Sequence, residues 1–397
     1  MAELPFRAID ADQHYYEPLD AMTRHLDPAF KGRGIQVLNK GTHTILMAGR
    51  EYFRFVPNPT FDPIIVPGCL DPLFRGQIPE GVDPRSLSKV EPLPTAYRNA
   101  VDRVPVLDEQ QLDKVFMFPT IGCGVEQALR FDIPATMATV SAFNRWLEDD
   151  WGFAHEQRII TTPMLSLADP EGAVAEVEYL ASKGARIVSI RPAPVPDGHG
   201  NGYSLGDPRH DVVWQALVDA NIGASFHLAD SGYNAHLAAA WGCNPRFEAY
   251  GPIDVLGRLL VSDRAIHDTV CSLLVGGVFT RFPALRVASV ENGSDWIHLL
   301  VKRLRKQANQ TPWAFDDDPL DTLRRSLWVT PYYEEDMRKL ADTIGVERVL
   351  FGSDWPHGEG LSEPTDFVKE LHAFNDAEIE QVMRTNALEY LGESATA

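Results

Sequence analysis

The sequence predicts an α/β protein whose strands close into a (β/α)8 barrel of the TIM type, with a long insertion after the first strand. Three observations carry this. Eight short apolar, β-branched runs alternate with segments of helical periodicity along the 397 residues, the order expected of parallel strands wrapped by helices. Most of the runs are continuously apolar rather than alternating, as strands covered on both faces are. The first run ends in Asp10-Ala11-Asp12-Gln13-His14. It offers side chains there, not the glycine-rich phosphate turn that opens a doubly wound dinucleotide fold.

The strands are expected at residues 6–14, 114–120, 158–167, 185–192, 222–228, 286–291, 327–331 and 349–354. Helices fall between them. Residues 134–150 begin with a proline and carry apolar residues at helical spacing. In 169–183, Asp169 stands where a cap belongs, Pro170 takes the first helical position and Gly184 ends the helix. Segments 211–220, 253–279, 295–310, 334–344 and 376–391 complete the set. No fixed-period repeat and no interdomain linker is visible, so residues 1–397 are read as one barrel domain.

Two stretches break the alternation. Residues 27–98 are rich in Pro and Gly, with strand-like pieces such as 44–55; residues 229–252 carry aromatics and Gly. Both follow strands at the end where a barrel builds its active site, and long ordered insertions usually serve as lids or interfaces. Segment 27–98 also carries Phe53, Phe55, Ile64, Ile65 and Phe74, which a monomer would have to cover unaided. It is read as a cap over the barrel mouth and the seat of a homodimer.

Composition narrows the function classes. Lys plus Arg is 36 and Asp plus Glu is 56, so the formal charge is 36 − 56 = −20. That charge repels nucleic acid and anionic membranes. No apolar stretch approaches the roughly 18 residues of a membrane helix, and residues 1–7 lack the pattern of a signal peptide. Cys69, Cys123, Cys243 and Cys271 form no Cys-x-x-Cys pair. The expectation is a cytoplasmic protein with a small-molecule partner.

Catalytic groups of a barrel project from the C-terminal ends of its strands. The first strand ends in Asp12 and His14, two apart and so facing the same way. The fourth ends in Arg191, the fifth in His227, the sixth in Glu291, and the eighth in Ser353-Asp354-Trp355 with His357 just beyond. Singly, each has a bland reading: a turn residue, a satisfied core histidine, a helix cap. Together they converge on one rim, and carboxylate oxygen with imidazole nitrogen suits a borderline divalent ion such as Zn²⁺ or Mn²⁺. The other histidines have no partner at ligand spacing, the Asp316-Asp317-Asp318 run reads as a solvated loop, and no Gly-x-Ser-x-Gly elbow is present.

These residues resemble the amidohydrolase-related (amidohydrolase 2) family of the metal-dependent amidohydrolase superfamily. The motifs that carry the likeness are Asp10-Ala11-Asp12-Gln13-His14-Tyr15-Tyr16-Glu17-Pro18 and Phe351-Gly352-Ser353-Asp354-Trp355-Pro356-His357. Asn144-Arg145-Trp146-Leu147, Gly276-Gly277-Val278-Phe279 and Val290-Glu291-Asn292-Gly293 look like further landmarks. The resemblance implies a distorted barrel with one divalent ion, zinc or manganese, on Asp12, His14, His227 and Asp354. Asp12 departs from the usual His-x-His pair, and Glu291 stands where many relatives have a catalytic histidine. No lysine ends the fourth strand, so no carbamylated bridge between two metals is implied.

Taken together, these readings put a mononuclear metal hydrolase of a small carbonyl substrate first. The ion lowers the pKa of a bound water, Asp354 moves its proton, Glu291 is a second acid/base group, and Arg191 holds a substrate carboxylate. A metal-dependent non-oxidative decarboxylase is the alternative. A metal-retaining but catalytically silent binding protein is a third reading.

Overall fold

The computed structural model describes residues 4–41, 43–249 and 254–393. The extreme ends of the expected 1–397 domain, residues 250–252 of the second broken stretch and residue 253 of the expected helix 253–279 lie outside the described residues. Strands β1 (Ala8–His14), β2 (Leu112–Phe118) and β3 (Ile159–Thr161) pair in parallel. So do β4 (Ile187–Ile190), β5 (Gly223–His227), β6 (Val287–Val290) and β7 (Leu327–Val329). Isolated parallel bridges join these runs: Met164 to Ser189, Val329 to Val349, and Gln13 to Trp355. Residues 349–355 are thus the eighth member, and among the described residues eight parallel segments close into a ring.

Two members are less regular than expected, for local reasons. β3 is three residues long, because Pro163 has no N–H to continue the ladder. The chain rejoins β4 when Leu165 N donates to Ser189 O at 2.9 Å. The eighth segment bends where Asp354 takes φ 57°. The expected helix 253–279 is broken into Val255–Val261, Arg264–Val275 and Val278–Arg281, at Ser262 (φ 22°) and Gly277 (φ 70°). Helix Asp295–Gln310 lies where its periodicity puts it, and Asp169 accepts from Gly172 N to start helix Pro170–Ser182. Helix Ala100–Glu109, which contains Pro105, was not expected.

Side-chain alternation divides the core. Val115, Met117, Val188, Ile190, Val287 and Val329 pack outward against the helices. Ile9, Phe116, Phe118, Ile160, Ile187 and Leu350 fill the inside of the ring. Tyr390 from the last helix plugs its floor, its hydroxyl 2.8 Å from Ser225 Oγ.

The ring closes through a polar seam. Buried Asp10 accepts from Ser353 N (3.0 Å), Ser353 Oγ (2.5 Å), Gln13 Nε2 (2.8 Å) and Asp12 N (3.2 Å). Asp354 N donates to Asp12 O at 2.9 Å, and His14 N to Trp355 O at 2.9 Å. Gly352 makes the approach possible, since a Cβ there would lie 2.8 Å from Asp12 Cβ. Arg103, fully buried, spans both sides: it donates to Gln13 Oε1 (2.9 Å) and His14 O (3.2 Å) and lies 4.1 Å from the centre of the Trp355 ring.

Segment 27–98 includes the antiparallel strands Ile35–Lys40, His43–Ala48 and Glu51–Phe53. Of the five apolar residues singled out, Phe53, Phe55 and Ile64 are buried in the chain itself, while Phe74 is 46% exposed. Phe53 and Phe55 close on Gly124 so tightly that a Cβ there would lie 2.5 Å from Phe55 Cγ. Gly68 N donates to His357 O (3.1 Å) and Leu70 N to Gly358 O (2.8 Å), which joins the insertion to the loop after the eighth segment.

Asp10→Ala removes an acceptor from four donors at once. Buried donors left unsatisfied cost about 1–3 kcal/mol each before relaxation, so unfolding stability should fall by roughly 3 kcal/mol or more. Denaturant unfolding measures it; an unchanged midpoint would show that the seam is not what closes the ring.

Candidate metal centre

On β5, Ala224 and Phe226 face the helices, which turns Ser225 and His227 inward. On β1, the register slips between Asp10 and Gln13, and Asp12 and His14 both reach the rim, 3% and 1% exposed. Aromatic stacking fixes the two imidazoles. His227 lies on Phe118 (centroids 4.5 Å apart) and His14 on His357 (4.0 Å).

The structure brings five of the six expected site residues together. His14 Nε2 lies 3.6 Å from Asp12 Oδ1, 3.3 Å from Asp354 Oδ1 and 3.6 Å from Glu291 Oε2. His227 Nε2 lies 3.6 Å from Asp12 Oδ1 and 3.0 Å from Glu291 Oε2. Yet Asp12 Oδ1, His14 Nε2 and His227 Nε2 are buried and make no well-aligned hydrogen bond. Ligand atoms about 2.0–2.2 Å from one ion stand about 3.0–3.5 Å from each other. Orphaned donors at that spacing fit a divalent ion, and Asp12, His14 and His227 form one of three overlapping groups able to hold it.

The electrostatics agree. Burial opposes the charge on His227, but Cys123, Glu291 and Asp12 outweigh it and hold its pKa well above the ordinary imidazole value. Burial would raise the Glu291 carboxyl, but His227 and His14 outweigh it and hold it below the usual carboxylate range. Burial pushes Asp12 up despite the same imidazoles. Imidazoles and carboxylates thus share protons in a dry place, where a divalent cation would stand in for those protons between the same donor atoms. His227 is also oriented for this. Its Nδ1 lies 2.9 Å from the Leu228 carbonyl, so Nδ1 carries a hydrogen and Nε2 is the ring atom that would meet an ion in place of a proton.

Glu291 and Asp354 both sit in left-handed backbone, φ 56° and 57°, a conformation that costs a non-glycine residue about 1–2 kcal/mol. Neighbours hold each turn. Glu291 N donates to Thr330 Oγ1 (3.2 Å), and Tyr332 Oη donates to Glu291 O (2.9 Å). Asp354 Oδ1 is 2.6 Å from His357 Nδ1. Strain of this kind recurs at ligand-binding and catalytic sites.

Arg191 stands apart. Its guanidinium donates to Gln127 Oε1 (2.6 Å), Pro194 O (3.0 Å) and Asp230 O (3.4 Å), and its Nε faces Glu126 at 3.5 Å. These partners occupy the donor pairs that a substrate carboxylate would need. Asp10, Arg103, Cys123 (Sγ 3.6 Å from His227 Nδ1) and Glu359 belong to the site's surroundings without having been singled out. Burial and Asp354 push Glu359 up to about 7. A cavity of about 590 Å³ opens above the cluster, its wall including Asp12, Glu291, Tyr332, Asp354 and Glu359. That volume suits one small ligand.

The chain belongs to the amidohydrolase family, whose model matches residues 9–392, and it is an enzyme of that metal-dependent kind. It is similar to a crystallised amidohydrolase from Mycobacterium avium subsp. paratuberculosis K-10: 54% identity, TM-score 0.93, 98% of this chain and 100% of that one covered. It is 27% identical, over 129 residues, to 2-amino-3-carboxymuconate-6-semialdehyde decarboxylase of Dictyostelium discoideum. That match spans 31% of this chain and 35% of the decarboxylase. The fold also matches 5-carboxyvanillate decarboxylase of Novosphingobium aromaticivorans DSM 12444, crystallised with manganese and 4-hydroxy-3-methoxy-5-nitrobenzoic acid. There identity is 14% and the TM-score 0.57, with 98% of this chain and 96% of that one covered. Among the described residues no helix is long and apolar enough to cross a membrane.

Protein stripped with a chelator should take up about one Zn²⁺ or Mn²⁺ per chain, and its melting temperature should rise as it does. His227→Ala should abolish this uptake while leaving the fold intact, as elemental analysis and circular dichroism would report. Full occupancy in the variant would remove His227 from the ligand set.

Proposed function

We propose that the protein is a metal-dependent, non-oxidative decarboxylase of a small aromatic or muconate-type acid, with one zinc or manganese ion per chain. The carrying observation is the set of orphaned donors on Asp12, His14 and His227, with both imidazole nitrogens 3.6 Å from Asp12 and Asp12 itself in the wall of a ligand-sized cavity. The likeness to two decarboxylases supports loss of carbon dioxide over the hydrolysis that the sequence puts first.

In this reading Asp12, His14, His227 and Asp354 hold the ion. When bound, the ion supplies the positive charge that draws in a substrate carboxylate and a neighbouring oxygen. The chain's own groups do the rest. Phe118 and the Leu228 carbonyl keep the His227 ring from turning, and His357 orients Asp354. Glu291 moves the proton. As the carbon–carbon bond breaks, its electron pair stays on the substrate carbon. The Glu291 carboxyl, loaded from solvent, delivers a proton there and is left as a carboxylate. Arg191 braces Glu126 and Gln127 under the rim.

Segment 27–98 would cap the mouth and join two copies, since it leaves Tyr52 53%, Phe74 46% and Val90 64% exposed. Light scattering at micromolar concentration should give the mass of a dimer; a monomer would count against this half of the reading.

For the reaction, a panel of hydroxylated aromatic and unsaturated acids should release carbon dioxide, and amides and lactones should stay closed. Glu291→Gln should lower kcat by about 10²–10⁴-fold, the usual worth of a general acid, with metal content unchanged. Near-normal kcat in the variant would take the proton transfer away from Glu291, and lactone or amide opening would restore the hydrolase reading.

A further inference from the structure

The cavity wall carries a feature that the metal centre does not use. Arg246 and Arg258 are the only cationic side chains among the described residues that line it. Around them the wall is acidic, with Glu248, Asp263, Asp295, Glu334 and Glu335 besides the groups of the metal centre. Several arginines elsewhere in the chain sit on carboxylates: Arg33 on Asp132, Arg145 on Glu176, Arg281 on Asp211. Among the described residues, neither Arg246 nor Arg258 makes a side-chain hydrogen bond or an ion pair. In a chain of net charge −20, two guanidinium groups without a protein partner on an otherwise acidic cavity wall are placed to meet an anionic ligand.

Their placement is built. Asp254 caps helix Val255–Val261 by accepting from Gly257 N (3.0 Å), and its other oxygen accepts from Asn244 N (2.9 Å). One carboxylate thus ties the loop that carries Arg246 to the helix that carries Arg258. The loop is fixed again on its far side, where Phe247 packs on Phe55 (centroids 5.7 Å apart) and Ala249 N donates to Phe55 O (3.0 Å).

We propose that Arg246 and Arg258 hold a second carboxylate of the substrate, so that the cavity selects diacids over monoacids. This rests on the decarboxylase reading: one carboxyl is lost at the metal end, and the other stays on the arginines as the anchor. Guanidinium forks match planar oxyanions through paired hydrogen bonds. The carboxylates around them repel an anion placed anywhere else on the wall, which fixes the distal group's position as well as its charge.

Equilibrium binding tests this without reference to turnover. Metal-loaded protein is titrated calorimetrically with isophthalate, which has two carboxylates, and with benzoate, which has one. Charged hydrogen bonds make the expected preference for isophthalate about tenfold or more. The double variant R246A/R258A should lose that preference, with benzoate affinity within about twofold of the parent, and R246K/R258K should keep most of it. Both side chains are exposed, so the variants should melt as the parent does. Equal binding of the two acids, binding of neither, or a preference that survives in the alanine variant overturns the proposal. A protein that prefers the diacid yet releases carbon dioxide from no acid would sink the reaction and keep the subsite.

Discussion

The structure depends on the seam between the first and eighth members of the ring. A parallel barrel gains most of its ladder from evenly paired neighbours, but here the last neighbour contributes only single bridges to each side. Asp10 supplies what the ladder lacks: two of its four hydrogen bonds tie Ser353 to β1, and the other two hold Asp12 and Gln13 within β1. Because the seam lies two residues below the rim, it also sets the site. Asp12 and His14 leave from one side of it and Asp354 from the other. Burial pushes the Asp10 carboxyl up to about 7 even with these donors, which measures how dry the seam is. Closing the barrel and assembling the donor atoms are one event.

Much of this is legible in the sequence, because strand periodicity fixes which residue ends each strand. Asp12, His14, His227, Glu291 and Asp354 were recognisable as strand ends, and strand ends of a barrel share a rim. Arg191 obeys the same rule, yet its guanidinium lies on Gln127, Pro194 and Asp230 and not among the donor atoms. The rule gives the end of the strand but not the direction of a long side chain, and Glu126 with Gln127 captured this one. Asp10 and Arg103 left no signal of their role. Asp10 sits inside an apolar run and Arg103 on a helix interrupted by Pro105, and a buried polar group shows its purpose only once its partners are in place. Helix breaks at Ser262 and Gly277 were hidden for a related reason, since apolar spacing continues across both.

Electrostatics join the ion to whatever the cavity binds. At an effective dielectric constant of about 20, two unit charges 4 Å apart interact by about 4 kcal/mol. An acid entering beside Asp12, Glu291 and Asp354 would meet several such repulsions, which the His14 and His227 imidazoles offset only in part. A divalent cation reverses the sign at the foot of the cavity and nowhere else. The wall above remains acidic apart from Arg246 and Arg258. On the proposed reading the ion and the two arginines are the places that attract an anion, and the distance between them would set the length of the ligand. Acidity that looks hostile to an acid substrate is what makes the site selective for where its charges lie.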